Sequence, residues 1–175
     1  MEVPEWNGEK CSQCNYCSVV CPHAVIRPFL IEKAHLSSAP ASFESRKAKG
    51  GGFFDGFHYR VQVSPYDCTG CRLCVNVCPD EALHMRPVEE MVKQEADNWE
   101  YAMTLPERLE CREINRGSVK GSQFMKPLLE FSGACSGCGE TPYVKMLTQL
   151  FGERMMIANA TGEHAFFCFC YIFLS

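Results

Sequence analysis

Long apolar runs are missing from this 175-residue chain; none approaches the roughly 20 residues that a membrane-spanning helix requires. The opening residues, MEVPEWNGEK, hold neither the basic nor the apolar stretch of a secretory leader, so none is expected. Charge of one sign is scarce too. Seventeen Lys and Arg against 21 Asp and Glu leave a formal net charge of −4, which points away from nucleic acid and anionic membranes as partners. Hydrophobic residues at 46% and charged residues at 22% are ordinary for a globular protein. A chain of this length holds one domain, or a small domain and part of another.

Cysteine, by contrast, is abundant, with 13 residues. Cys11, Cys14, Cys17 and Cys21 stand at the spacing C-x2-C-x2-C-x3-C with Pro22 next, and Cys68, Cys71, Cys74 and Cys78 repeat it with Pro79 next. Every cysteine of the first run recurs 57 positions later, which marks an internal duplication. This is the run by which bacterial two-cluster ferredoxins hold 4Fe-4S clusters. A cube of iron and sulfide needs four thiolates converging on a small volume. One tight loop can aim three of them inward, and the fourth comes from elsewhere in the chain. The cysteine before proline serves the other cluster, so Cys11, Cys14, Cys17 and Cys78 are expected around one cluster and Cys68, Cys71, Cys74 and Cys21 around the other. Zinc sites use two C-x2-C pairs, which leaves the third close cysteine of each run without a role. Disulfide scaffolds belong to small secreted domains. The expected setting is therefore a reducing compartment, the cytoplasm or a hydrogenosome-type organelle.

The fold class expected is α+β: a two-cluster domain over residues 1–87, interrupted by an insertion at 22–67. The middle of that insertion, Ser37 to Gly52, is rich in Ser, Ala, Lys and Gly and reads as a surface loop. Phe57, Tyr59, Val61 and Val63 alternate with His58, Arg60, Gln62 and Ser64, predicting a strand with one buried face. Pro87 precedes a helix whose apolar face carries Val88, Met91, Val92, Ala96 and Trp99. That helix and a polar linker fill residues 88–123, with Cys111 isolated in the linker.

A second domain is expected from 124 to 162. Cys135 and Cys138 form another C-x2-C pair, followed by Gly139, Glu140, Thr141 and Pro142. Thr141 suits an N-cap and Pro142 the first helical turn; Tyr143, Met146, Leu147 and Leu150 follow at helical spacing, and Gly152 can end the helix. A cysteine pair before a helix N-terminus suits bound anions. Taken alone it fits part of a cluster site, half a zinc site or a redox dithiol.

Two stretches, Ser118 to Phe124 and Phe131 to Tyr143, resemble pyruvate:ferredoxin (flavodoxin) oxidoreductase, in which a two-cluster ferredoxin domain precedes a thiamine-diphosphate-binding domain. The resemblance runs from the first cysteine run to about Gly162. It implies that Cys135 and Cys138 ligate a third 4Fe-4S cluster and that Glu140 contacts thiamine diphosphate. It also implies oxidative decarboxylation of pyruvate with coenzyme A, electrons relayed through the clusters to ferredoxin or flavodoxin, and a homodimer at full length. The rest of the oxidoreductase would supply the substrate-binding domains, and no metal–diphosphate motif follows the cysteine pair. The pattern departs at Glu163, where the family places a third ligand cysteine. Residues 163–175, with Cys168 and Cys170, are read as a misjoined or truncated tail. An independent two-cluster carrier, or the same region of another 2-oxoacid or NADP-linked oxidoreductase, remains the alternative.

Overall fold

A computed structural model describes residues 1–106, 113–159 and 170–174. The duplication of the cysteines proves to be a duplication of backbone. Strand β1 (Glu2–Trp6), helix α1 (Tyr16–Val19) and strand β2 (Ile26–Glu32) make one half. After the short strand β3 (Arg46–Lys47), strand β4 (Phe57–Val63), helix α2 (Leu73–Val77) and strand β5 (Leu83–Pro87) make the other. The halves exchange strands. β1 pairs antiparallel with β5, and β2 with β4. The registers correspond under the 57-residue shift, with Trp6 opposite Leu83 and Val63 opposite Ile26. Left-handed backbone recurs as well, at Gln13, Asn15 and Ala24 in one half and at Gly70, Arg72 and Glu81 in the other. Such φ values are uncommon away from glycine. Gly70 adds a second constraint, because a Cβ there would stand 2.8 Å from the Glu2 carbonyl oxygen.

The insertion is more than a loop. Residues 22–67 contain the three-stranded sheet β2-β4-β3, and within the stretch expected to be a surface loop Phe43 and Ala48 are buried. Strand β4 corrects the sequence expectation most clearly. Tyr59, Val61 and Val63 are buried as expected, but Arg60, Gln62 and Ser64 on the opposite face are 3%, 0% and 0% exposed. Helix α3 (Val88–Met103) covers that face. Arg60 pairs with Glu95 of α3 at 2.5 Å and donates to the Glu44 carbonyl, while Gln62 donates to Glu95 at 2.9 Å. Polar residues alternating along a strand signalled solvent, yet here they meet a complementary polar stripe on a helix. That stripe shifts the buried face of α3, which comprises Met91, Asn98, Trp99 and Ala102.

Helix α4 (Val119–Ser122) is capped by the Ser118 hydroxyl, which accepts from the Gly121 N–H. Phe124 and Met125, at the expected start of a second domain, lie in the same core as Val3, Ile26, Tyr59, Val61 and Leu83. Helix α5 (Thr141–Phe151) begins at the expected place, with Glu140 rather than Thr141 in the N-cap position, and ends at Gly152 with φ 55°. Its buried residues are Lys145, Thr148 and Gln149, whereas Tyr143 on the expected apolar face is 67% exposed. Strands β6 (Met155–Asn159) and β7 (Cys170–Leu174) pair antiparallel. Cys111, Glu163 and Cys168 lie outside the described residues. Among those residues no helix is long and apolar enough to cross a membrane.

Replacing Glu95 with Ala would strand the buried Arg60 guanidinium. Loss of such a partner costs about 3–5 kcal/mol, so chemical denaturation should show a lower midpoint at unchanged slope.

Candidate metal centres

The cysteine loops turn sharply because alternate residues adopt left-handed backbone, which aims successive thiols to one side. In the first loop those residues also tie the loop down. Gln13 donates to the Lys47 carbonyl at 2.9 Å and accepts from the Lys49 N–H at 2.6 Å. Asn15 accepts from the Tyr59 hydroxyl at 2.6 Å and donates to the Lys120 carbonyl at 2.8 Å. Helices α1 and α2 then carry the chain across to the opposite half, where the fourth thiol of each run emerges.

Two cavities result. One is lined by Cys11, Cys14, Cys17 and Cys78. The other is lined by Cys68, Cys71, Cys74 and Cys21. Among the described residues no three His, Cys, Asp or Glu side chains close on a single metal ion; each quartet lines a cavity instead. Apolar residues complete the walls, with Val61 and Leu83 at the first cavity and Val25, Ile26 and Val63 at the second.

Electrostatics reflects the same grouping. Burial pushes the Cys74 thiol up to about 12, and Cys21, Cys68 and Cys71 add to the rise. Cys68 is raised to about 11 by burial, against a lowering N–H from Gly70 and with further increments from Cys21 and Cys71. For Cys11 burial also dominates; the Trp6 side chain and the Gln13 N–H oppose it, and Cys14 and Cys78 reinforce it. Cys17 is raised well above the ordinary thiol value by burial, with Cys74 of the other quartet its largest charged neighbour. The quartets therefore approach one another at Cys17 and Cys74. The raised thiols Cys11, Cys17, Cys68 and Cys74 hold their protons more tightly than an ordinary thiol, so a bound cation must displace them. Backbone N–H groups already point at sulfur, from Gln13 to Cys11 at 3.3 Å and from Ala82 to Cys78 at 3.2 Å.

Sequence reasoning missed Lys145. It is 2% exposed, and its ammonium donates to the carbonyls of Ser18, Val19 and Cys21 at the end of α1. Burial lowers its pKa to about 8, with the Cys21 and Cys17 sulfurs acting in the opposite direction. On α5 it stood among polar residues, and only the docking of that helix turns it inward. Near the first loop, Arg46 pairs with Glu9 at 3.3 Å and Lys49 donates to the Cys11 carbonyl at 2.8 Å.

The third cysteine pair sits beside the second quartet. Ser136 donates to the Thr69 carbonyl at 3.3 Å, and Gly137 passes close to Cys71. Upstream, the Phe131 N–H donates to the His23 carbonyl at 2.9 Å, and Arg27 pairs with Glu130 and lies 5.5 Å from the Phe131 ring centroid. Cys135 is exposed and Cys138 half-buried. N–H groups of Thr141 and Glu140 at the start of α5 lower the Cys138 pKa. Glu140 is half-buried at the helix start. Among the described residues this loop offers two thiols, half of what a cube requires.

Residues 10–82 match a family described as the 4Fe-4S dicluster domain, which supports 4Fe-4S clusters as the groups held in this part of the chain. Over 93% of its length the chain resembles one segment of the pyruvate:ferredoxin and pyruvate-flavodoxin oxidoreductases. It is 55% identical over 164 residues to pyruvate:ferredoxin oxidoreductase of Moorella thermoacetica and 52% identical to pyruvate-flavodoxin oxidoreductase of Enterobacter agglomerans. It is 59% identical over 162 residues to the pyruvate dehydrogenase (NADP+) of Cryptosporidium parvum. The chain spans only 8% of that last relative's length and 14% of each of the other two.

Exchanging Lys145 for Met removes the donor shared by three buried carbonyls. Each unsatisfied buried group costs about 1–3 kcal/mol, so the variant should unfold at clearly lower denaturant, and hydrogen exchange in residues 16–21 should accelerate.

Proposed function

We propose that the chain is the electron-transfer segment of a pyruvate:ferredoxin/flavodoxin-type oxidoreductase. The observation that carries this reading is the pair of cavities, each walled by three thiols of one run and the last thiol of the other. Cys11, Cys14, Cys17 and Cys78 would hold one 4Fe-4S cluster, and Cys68, Cys71, Cys74 and Cys21 the second. When bound, each cluster supplies a one-electron site, which suits a reaction that releases two electrons to one-electron carriers. Burial by apolar walls and N–H groups directed at sulfur supports this use, since both tune such sites.

In this reading residues 1–87 form the cluster domain with its insertion at 22–67, and residues 88–123 supply a helix and linker. Residues 124–162 begin the thiamine-diphosphate domain, and 163–175 are an aberrant tail. Cys135 and Cys138 contribute two ligands of a third cluster, and Glu140 contacts thiamine diphosphate, which supplies a carbanion-stabilising centre when bound. The close approach of the Cys135–Cys138 loop to Thr69 and Cys71 supports an electron path from that loop to the second quartet and on across Cys17 and Cys74. Ferredoxin or flavodoxin is the acceptor, pyruvate and coenzyme A are substrates of the whole enzyme, and the whole enzyme is a homodimer. The ten cysteines from Cys11 to Cys138 whose side chains are described are free thiols, in keeping with a reducing compartment. The 59% identity to an NADP+-linked relative favours one second reading, the same segment working toward NADP+.

This chain by itself is expected to take up two clusters and to show no pyruvate oxidation. The exchange of ligands between runs is tested by paired substitutions. Cys14→Ala with Cys78→Ala removes two ligands of one site and should leave about four irons per chain and one electron paramagnetic resonance signal. Cys14→Ala with Cys21→Ala should abolish both clusters. The reverse pattern would place all four thiols of each run on its own cluster.

A further inference from the structure

The two cavities are built from equivalent positions, and their walls correspond under the 57-residue shift: Val61 with Pro4, Ala82 with Val25, Leu83 with Ile26. At one such pair the chemistry diverges. Trp6 lines the Cys11–Cys78 cavity, and Val63, its counterpart, lines the Cys21–Cys74 cavity. The indole Nε1 of Trp6 is buried and has no hydrogen-bond partner of ordinary geometry. A buried N–H left unpaired costs free energy, and native proteins rarely tolerate one without a reason. The ring is not free to turn the group elsewhere. Tyr59 stands 6.2 Å away between ring centroids, the Arg60 guanidinium lies 5.8 Å from the indole centroid, and a Cβ at Gly8 would meet the ring at 2.8 Å.

We infer that the Trp6 N–H is a donor to sulfur in the Cys11–Cys78 cavity, making an electron there more stable than the bare duplicated scaffold would. The inference rests on the cluster reading above. An N–H aimed at sulfur stabilises the added negative charge of the reduced state and raises the reduction potential. Val63 offers the other cavity only an alkyl surface. The indole is a positioning and tuning residue, not a ligand. Because the walls also differ at Asp80 and His23, the effect is read in variants that change the N–H itself.

The test compares redox titrations of the cluster-loaded full chain, followed by electron paramagnetic resonance, for the native sequence and Trp6→Phe. One cluster should become harder to reduce, its reduced-to-oxidised ratio at fixed potential falling about fivefold, as loss of one such bond implies, while the other holds its potential. An exchangeable proton coupled to the reduced cluster should disappear from the electron–nuclear double-resonance spectrum. If Trp6→Phe loads poorly, incorporation of benzothienylalanine at position 6 keeps the shape of the ring and removes only the N–H. Unchanged potentials, or equal shifts in both clusters, overturn the inference while leaving the cluster reading intact. A native chain that takes up no iron and sulfide overturns both.

Discussion

Convergence of four thiols from two separated loops is the constraint on which the rest of this structure depends. A single cysteine loop can present three sulfurs to one side, and the fourth must arrive from the other half. Strand exchange makes that possible. β1 pairs with β5 and β2 with β4, so both strands flanking each loop are held by strands of the other half. The fourth cysteine of each run then lines the opposite cavity. Proline after that cysteine, at Pro22 and Pro79, fixes φ where the chain turns back toward its strand.

The rest of the chain supports these loops from outside. Gln13 and Asn15 bind the first loop to β3, β4 and α4 through side-chain hydrogen bonds. Lys145 reaches in from α5 to gather the carbonyls at the end of α1. On the far face of β4, the Arg60–Glu95 pair fastens α3 to the inserted sheet. These contacts join residues far apart in the chain, and each buries a polar or charged group together with its partners, the condition under which such burial is tolerated. A module whose purpose is to hold sulfur in place gains from such cross-ties, because small displacements of an N–H or a thiol alter the field at the cavity.

Helix α5 shows how the outer part of the chain differs. Its polar side, Lys145, Thr148 and Gln149, is buried against the cluster module, while Tyr143 is left exposed.

Spacing alone determined a great deal. Rigid metal-ligand stoichiometry leaves few ways to arrange C-x2-C-x2-C-x3-C-P, so the two quartets, the duplication and the α+β class were legible from residue positions. The start of α5 was legible too, since Glu140-Thr141-Pro142 carries local capping information. Other features were decided only in three dimensions. Arg60, Gln62 and Ser64 read as a solvent face because alternation records polarity, not what lies above the strand. Lys145 and the Trp6 N–H were invisible for the same reason: their roles depend on long-range placement, and a sequence pattern encodes only near neighbours. Thiol chemistry is local and repeats with the gene; the environment that tunes it is assembled from residues a hundred positions apart.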